Sequence, residues 1–83
     1  MPDYRKCVEE IQRQLVSMTD LEGTLDENAD LVEELGLASV EVMELIEELE
    51  ETFDIAFPLN DLADVRTIAD LARHVQQLAG SSG

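Results

Sequence analysis

The chain has no tryptophan, one cysteine, one histidine, two prolines and only five basic residues among 83, against 20 acids. Each shortage excludes something. The single cysteine, Cys7, cannot form an internal disulfide, so the fold is not a disulfide scaffold and the usage fits a reducing cytoplasm. With a net charge of −15, the surface repels phosphate backbones, which excludes nucleic acid and anionic membranes as partners. No apolar run approaches the ~20 residues that span a bilayer. The start, Met1 to Cys7, has no apolar stretch behind Arg5 and Lys6 and does not read as a secretory signal. No segment alternates with period two, so no sheet is expected.

What remains is 45% hydrophobic, too apolar for an acidic disordered tail. The length suits one small domain with one modest core. Such a body has hardly any room for an enclosed substrate cavity plus catalytic machinery, and the chain is not expected to be an enzyme. The domain is read as residues 1–79, with Gly80-Ser81-Ser82-Gly83 as a flexible tail. Nothing points to an oligomer, so a monomer is expected.

Charge is unevenly placed. No base lies between Arg13 and Arg66, while all the acids except Asp3, Glu9, Glu10 and Asp70 lie in that interval. The middle of the chain therefore presents a solvated acidic face, suited to steering partners with basic patches by long-range attraction.

Residues 3–18 read as a helix, with Asp3 as cap and Tyr4, Val8, Ile11, Leu15 and Met18 on one stripe. Cys7 falls on this helix, where a buried inert thiol is expected. Thr19 to Leu37 is a long connection whose leucines predict packing across the helices; Asp30 to Leu35 is expected to form a helical turn. Residues 39–53 give the clearest helix. Val42, Leu45, Ile46, Leu49 and Phe53 form its stripe, and Glu41, Glu44, Glu47, Glu48, Glu50 and Glu51 occupy its other faces. Pro58 bars a helix through 54–58. Asn60 to Asp64 reads as a short helical turn. Thr67-Ile68-Ala69-Asp70 resembles a capping box opening a last helix, with Ile68, Leu71, Ala72, Val75 and Leu78 inward. The fold class is all-α: three main helices, one short helix and a long first loop.

The acids make no dedicated metal site. An EF-hand loop begun at Asp26 would place Leu31 where glycine and Leu37 where glutamate is required. His74, on the last helix, reads as a surface residue, and Gly36-Leu37-Ala38-Ser39-Val40 is not a nucleophile elbow. No catalytic residue is expected. Ser39 stands out instead. It lies where a glycine-containing loop meets a strongly acidic helix, and there a serine caps free N–H groups. The same position suits a phosphate-linked arm, because a phosphodiester there faces the positive end of the helix dipole.

The run Asp30-Leu31-Val32-Glu33-Glu34-Leu35-Gly36-Leu37-Ala38-Ser39-Val40-Glu41-Val42-Met43-Glu44-Leu45-Ile46 closely resembles the signature of acyl carrier proteins. The likeness continues through Leu49-Glu50-Glu51-Thr52-Phe53-Asp54-Ile55, Pro58 and Arg66-Thr67-Ile68-Ala69-Asp70-Leu71. It implies a four-helix carrier, free-standing, with 4′-phosphopantetheine attached covalently to Ser39. Acyl intermediates of fatty acid or polyketide-type biosynthesis would ride on the arm as thioesters. The implied partners are a phosphopantetheinyl transferase and acyl-transfer and chain-elongation enzymes with basic patches. These would meet Glu41, Glu44, Glu47 and Glu48, together with Val40 and Met43. Positions matching the family's acyl-shielding residues include Met43, Ile46, Leu49, Phe57, Leu62, Val65 and Leu71; structurally they read equally well as core.

Two positions depart from the family's Asp-Ser-Leu motif. Val40 replaces leucine, a mild change. Ala38 replaces aspartate, which removes a capping side chain worth about 0.5–2 kcal/mol and a carboxylate from the site a transferase and its magnesium approach. A specialised carrier with its own transferase, a poorly modified carrier-like interaction module and an introduced substitution all fit Ala38. An aminoacyl or peptidyl carrier is the nearest alternative within the fold, though such carriers are commonly less acidic along this helix.

Overall fold

The computed structural model describes residues 3–19 and 25–81. Three α-helices follow in order, α1 (Tyr4–Met18), α2 (Ser39–Phe53) and α3 (Ile68–Ser81), with a 3-10 helix at Leu59–Asp64 between α2 and α3. The helix boundaries follow local chemistry. Asp3 caps α1, its carboxylate accepting the Lys6 N–H at 2.7 Å. At α3, the Asp70 N–H donates to Thr67 Oγ1 at 3.0 Å and the Thr67 N–H to Asp70 Oδ2 at 3.3 Å, the reciprocal box that the sequence predicts. α2 stops at Asp54, which adopts the left-handed conformation (φ 54°, ψ 54°) that Asp tolerates better than most residues. Pro58 then precedes the 3-10 helix. α3 continues through Gly80 to Ser81, two residues past the boundary expected at 79; residues 82 and 83 lie outside the described set.

The inward stripes meet in one core. Val8, Ile11 and Leu15 of α1, Leu45 and Leu49 of α2, and Ile68, Leu71 and Val75 of α3 are all 0–1% exposed. Tyr4 and Met18, at the ends of the α1 stripe, are only half-buried. Cys7 joins the core at 0% exposed, and burial pushes its thiol pKa up, as expected for an inert cysteine.

The long first connection is tied down. Leu25, Leu31 and Leu37 are buried, whereas Val32 is 55% exposed; Leu21 lies outside the described residues. Backbone bonds pin the segment to the start of α3: Leu31 N–H to Arg66 C=O and Ala69 N–H to Glu27 C=O, both 2.8 Å. A lone antiparallel bridge joins Asp30 and Thr67. Side chains secure the other end, where Tyr4 Oη donates to Glu27 Oε1 at 2.6 Å and Gln12 Nε2 to the Leu25 carbonyl at 2.6 Å. That carboxylate raises the Tyr4 phenol pKa, because ionisation would break the bond.

The turn expected at Asp30–Leu35 is present, with Asp30 organising it. Its Oδ1 accepts the Val32 and Glu33 N–H groups, each at 2.9 Å. The Glu33 N–H, more than the Val32 N–H and the nearby Arg66, holds the Asp30 carboxyl below the usual carboxylate range, against the opposing effect of partial burial. A depressed folded pKa contributes stability that is present above the unfolded value of about 3.9 and lost as pH falls through the folded value. Asp30→Asn should therefore lower the Tm at neutral pH, and the gap to wild type should close below about pH 4. Thermal melts across pH check this; a gap that persists into strong acid would remove the carboxylate's charge from the account.

Candidate functional site

Ser39 is the first residue of α2, and its side chain is exposed. The cap position belongs to Ala38, with extended backbone at φ −78° and ψ 160°. This corrects the expectation that Ser39 itself caps the helix end. Alanine has no side-chain acceptor, so only one half of a capping box exists: Glu41 Oε1 accepts the Ala38 N–H at 2.9 Å. The Ser39 hydroxyl makes no hydrogen bond among the described residues, so esterifying it removes no cap. The Glu41 N–H reaches the Ala38 carbonyl at 3.0 Å, but the Ser39 and Val40 N–H groups, the first two of α2, have no helical carbonyl to meet, and the helix dipole favours an anion on the serine. Gly36, three residues earlier, turns the chain toward α2 at φ 74°, a conformation that costs other residues roughly 1–2 kcal/mol.

Ser39 borders a cavity of about 350 Å³. Val42 continues one wall along α2, Leu62 and Val65 come from the 3-10 helix and the residue that follows it, and Asp30, Leu31, Val32 and Glu33 come from the turn, with Arg66 completing the lining. The residues present thus fit a phosphate-linked arm: an exposed hydroxyl, a helix N-terminus and an adjoining largely apolar groove.

Of the residues expected to shield an acyl chain, Met43 is 47% exposed and lies off the cavity, and the others divide into two sets. Leu62 and Val65 line this cavity and are half-buried. Ile46, Leu49, Phe57 and Leu71 do not line it; they are 0–8% exposed in the closed core. Ile46 and Leu49 share the Val42 stripe but sit about 10 and 15 Å further along α2 than Ser39, so the groove ends before reaching them. Sequence reasoning missed Asp30, Leu31, Val32, Glu33 and Arg66 as neighbours of Ser39. The Asp30 turn signal and Gly36 marked a reversal, but only long-range pairing of residues 30 and 31 with 66 and 67 brings them to the serine.

The outer face of α2 follows the expected pattern. Glu44, Glu47 and Glu48 are exposed, and Val40 and Met43 are 61% and 47% exposed beside them. Glu41 is half-buried and occupied by the Ala38 N–H. Glu50, read as a solvent-facing acid, instead accepts the Phe57 N–H at 2.8 Å and braces the α2 exit. His74 is half-buried, not on the open surface: its Nδ1 lies 3.7 Å from Asp61 Oδ2 and its ring 5.7 Å from that of Phe57. No group of three or more metal-ligating side chains gathers among the described residues. No helix among them is long and apolar enough to cross a membrane.

A family model described as "Phosphopantetheine attachment site" matches residues 9–75. A "Probable acyl carrier protein" of Caulobacter vibrioides is 44% identical over 45 residues, which is 54% of this chain and 52% of that protein. An "Acyl carrier protein" of Syntrophobacter fumaroxidans is 42% identical over 43 residues, 52% of this chain and 53% of that protein. Another, of Wolinella succinogenes, is 36% identical over 50 residues, covering 60% and 66%. The chain thus spans about half the length of the first two relatives.

Proposed function

Because the chain belongs to the phosphopantetheine attachment-site family, whose domain carries a covalent 4′-phosphopantetheine, we propose that Ser39 is the attachment residue of an acyl carrier protein. The observation that carries this reading is the exposed, uncommitted Ser39 hydroxyl at the head of α2, on the rim of the cavity. Attachment would form one bond from Ser39 Oγ to the arm's phosphorus and break the pyrophosphate P–O bond of coenzyme A, so that the nucleotide half leaves and the hydroxyl proton is released. The bound arm supplies a thiol that holds acyl groups as thioesters. The protein contributes attachment, partial shelter and docking, none of which needs a tuned side-chain pKa.

In this reading the chain is a carrier domain serving fatty acid or polyketide-type synthesis in the cytoplasm. Leu62 and Val65 shelter the part of the arm nearest Ser39. Ile46, Leu49, Phe57 and Leu71 belong to a core that must loosen before a longer chain can enter. Glu44, Glu47 and Glu48, with Val40 and Met43 between them, form the face that meets basic patches on a transferase and on acyl-transfer and elongation enzymes. Glu41 divides its role between this face and closing the helix start. Changing Glu44 and Glu48 together to lysine should weaken partner binding at low salt, with the difference shrinking at higher salt, because rim charges act mainly through screened attraction. Affinity measured against ionic strength checks this; an unmoved low-salt affinity would remove α2 from the interface.

The test of the main reading is intact mass before and after incubation with coenzyme A, magnesium and a broad-specificity transferase. One added phosphopantetheine on Ser39 is expected, and Ala38→Asp should gain it faster. An unmodified protein beside a fully modified control carrier would favour the second reading, an unmodified interaction module, for which Ala38 is the supporting feature.

A further inference from the structure

Arg66 is the single base lining the cavity beside Ser39, in a chain that has only five bases. The others are placed elsewhere. Arg5, Lys6 and Arg13 lie on α1, Arg13 paired with Glu10, and Arg73 on α3 pairs with Asp70 at 3.4 Å. The cavity lining otherwise carries Asp30 and Glu33, and Glu41 stands one turn into α2. A phosphodiester on Ser39 would therefore enter a neighbourhood already rich in negative charge.

Arg66 is held in a way that leaves its guanidinium available. Its backbone is fixed on both sides: the carbonyl accepts the Leu31 N–H at 2.8 Å, and its N–H donates to Asp70 Oδ2 at 3.2 Å. Its side chain is 71% exposed, and its Nε lies 3.8 Å from Asp30 Oδ2, beyond hydrogen-bond distance. A guanidinium has five donors in a fork suited to two oxygens of one phosphate, and this contact engages one nitrogen loosely. Asp30 keeps its hold on the turn without Arg66, since the Val32 and Glu33 N–H groups bond its Oδ1 and only Oδ2 faces the guanidinium.

We propose that Arg66 is a positioning residue for the prosthetic arm: once Ser39 is modified, its guanidinium turns from Asp30 to the phosphodiester and holds the base of the arm over the cavity. This rests on Ser39 being the attachment residue. Arg66 then offsets the charge of Asp30 and Glu33 at the one point where the arm adds an anion, and it biases the arm toward Leu62 and Val65 instead of open solvent.

The experiment uses the wild type, Arg66→Gln and Arg66→Lys, each loaded with phosphopantetheine and checked by intact mass. The ³¹P resonance of the arm and the ¹⁵N signal of Arg66 Nε are then recorded. Loading should shift the wild-type Arg66 Nε signal. The ³¹P resonance of Arg66→Gln should move away from the wild-type position, with Arg66→Lys between them, since lysine keeps the charge without the fork. High salt, with a screening length of about 3 Å at 1 M, should carry wild type toward the Arg66→Gln value. A purely structural role for Arg66 would change the spectrum of the unloaded protein and leave the phosphorus signal alone. Superimposable ³¹P signals in the loaded wild type and Arg66→Gln overturn the role of Arg66 while leaving the carrier reading intact. Failure of every variant to load overturns the carrier reading and this inference with it.

Discussion

Ser39→Ala is expected to abolish phosphopantetheine attachment while leaving the melting temperature almost unchanged. The two halves of this expectation have separate causes. Attachment needs an oxygen nucleophile at the head of α2, and alanine removes it outright. Stability should survive because the hydroxyl is exposed and makes no bond among the described residues. Alanine also has the highest helix propensity, and a surface change of this kind usually stays within about 0.5 kcal/mol. Intact mass and a thermal melt on the same sample read both halves. Continued labelling of Ser39→Ala would place the arm on another hydroxyl. A large loss of Tm would mean that Ser39 serves the helix start after all, returning it to the capping role that Ala38 occupies here.

Leu49→Ala should be among the most damaging single changes to the fold. Leu49 is 0% exposed and packs in the core formed with α1 and α3. Truncating a buried leucine to alanine costs about 2–5 kcal/mol through lost transfer energy and the cavity left behind. Whole domains hold only about 5–15 kcal/mol, and this one is small and carries a net charge of −15 that repels itself in the compact state. A substantial unfolded population is therefore expected at low salt, with partial recovery as salt screens the charge. Urea titration followed by far-UV circular dichroism gives the loss directly. Leu62→Ala, at a half-buried cavity position, should cost less. If Leu49→Ala costs no more than Leu62→Ala, then Leu49 lines space that stands open, and the division between closed core and open groove is wrong.

Much of the architecture was legible because helices report themselves locally. Asp3, the stripe from Val42 to Phe53, and the Thr67–Asp70 box each act over three or four residues, within reach of one turn. The acidic outer face of α2 was legible for the same reason: positions opposite a buried stripe must face water. The Ser39 region was legible in type but not in detail. Ser39 and Ala38 are adjacent and either could precede the first helical residue; the path of the chain after Gly36 settled it in favour of Ala38. Glu50 looked like any other exposed acid until the chain after Asp54 folded back to offer it the Phe57 N–H.

The sequence by itself therefore determined the helices, their inward faces, the acidic surface and the position of the serine, because periodicity and capping are short-range properties. Only the tertiary structure decided what surrounds that serine. Asp30 and Arg66 are 36 positions apart, and no local preference links them. They meet because Leu31 must bury itself and its N–H must find a carbonyl, which Arg66 supplies. That pairing, with the Asp30–Thr67 bridge and the Ala69 N–H to Glu27 bond beside it, lays the turn next to Ser39 and leaves one base at the edge of the groove.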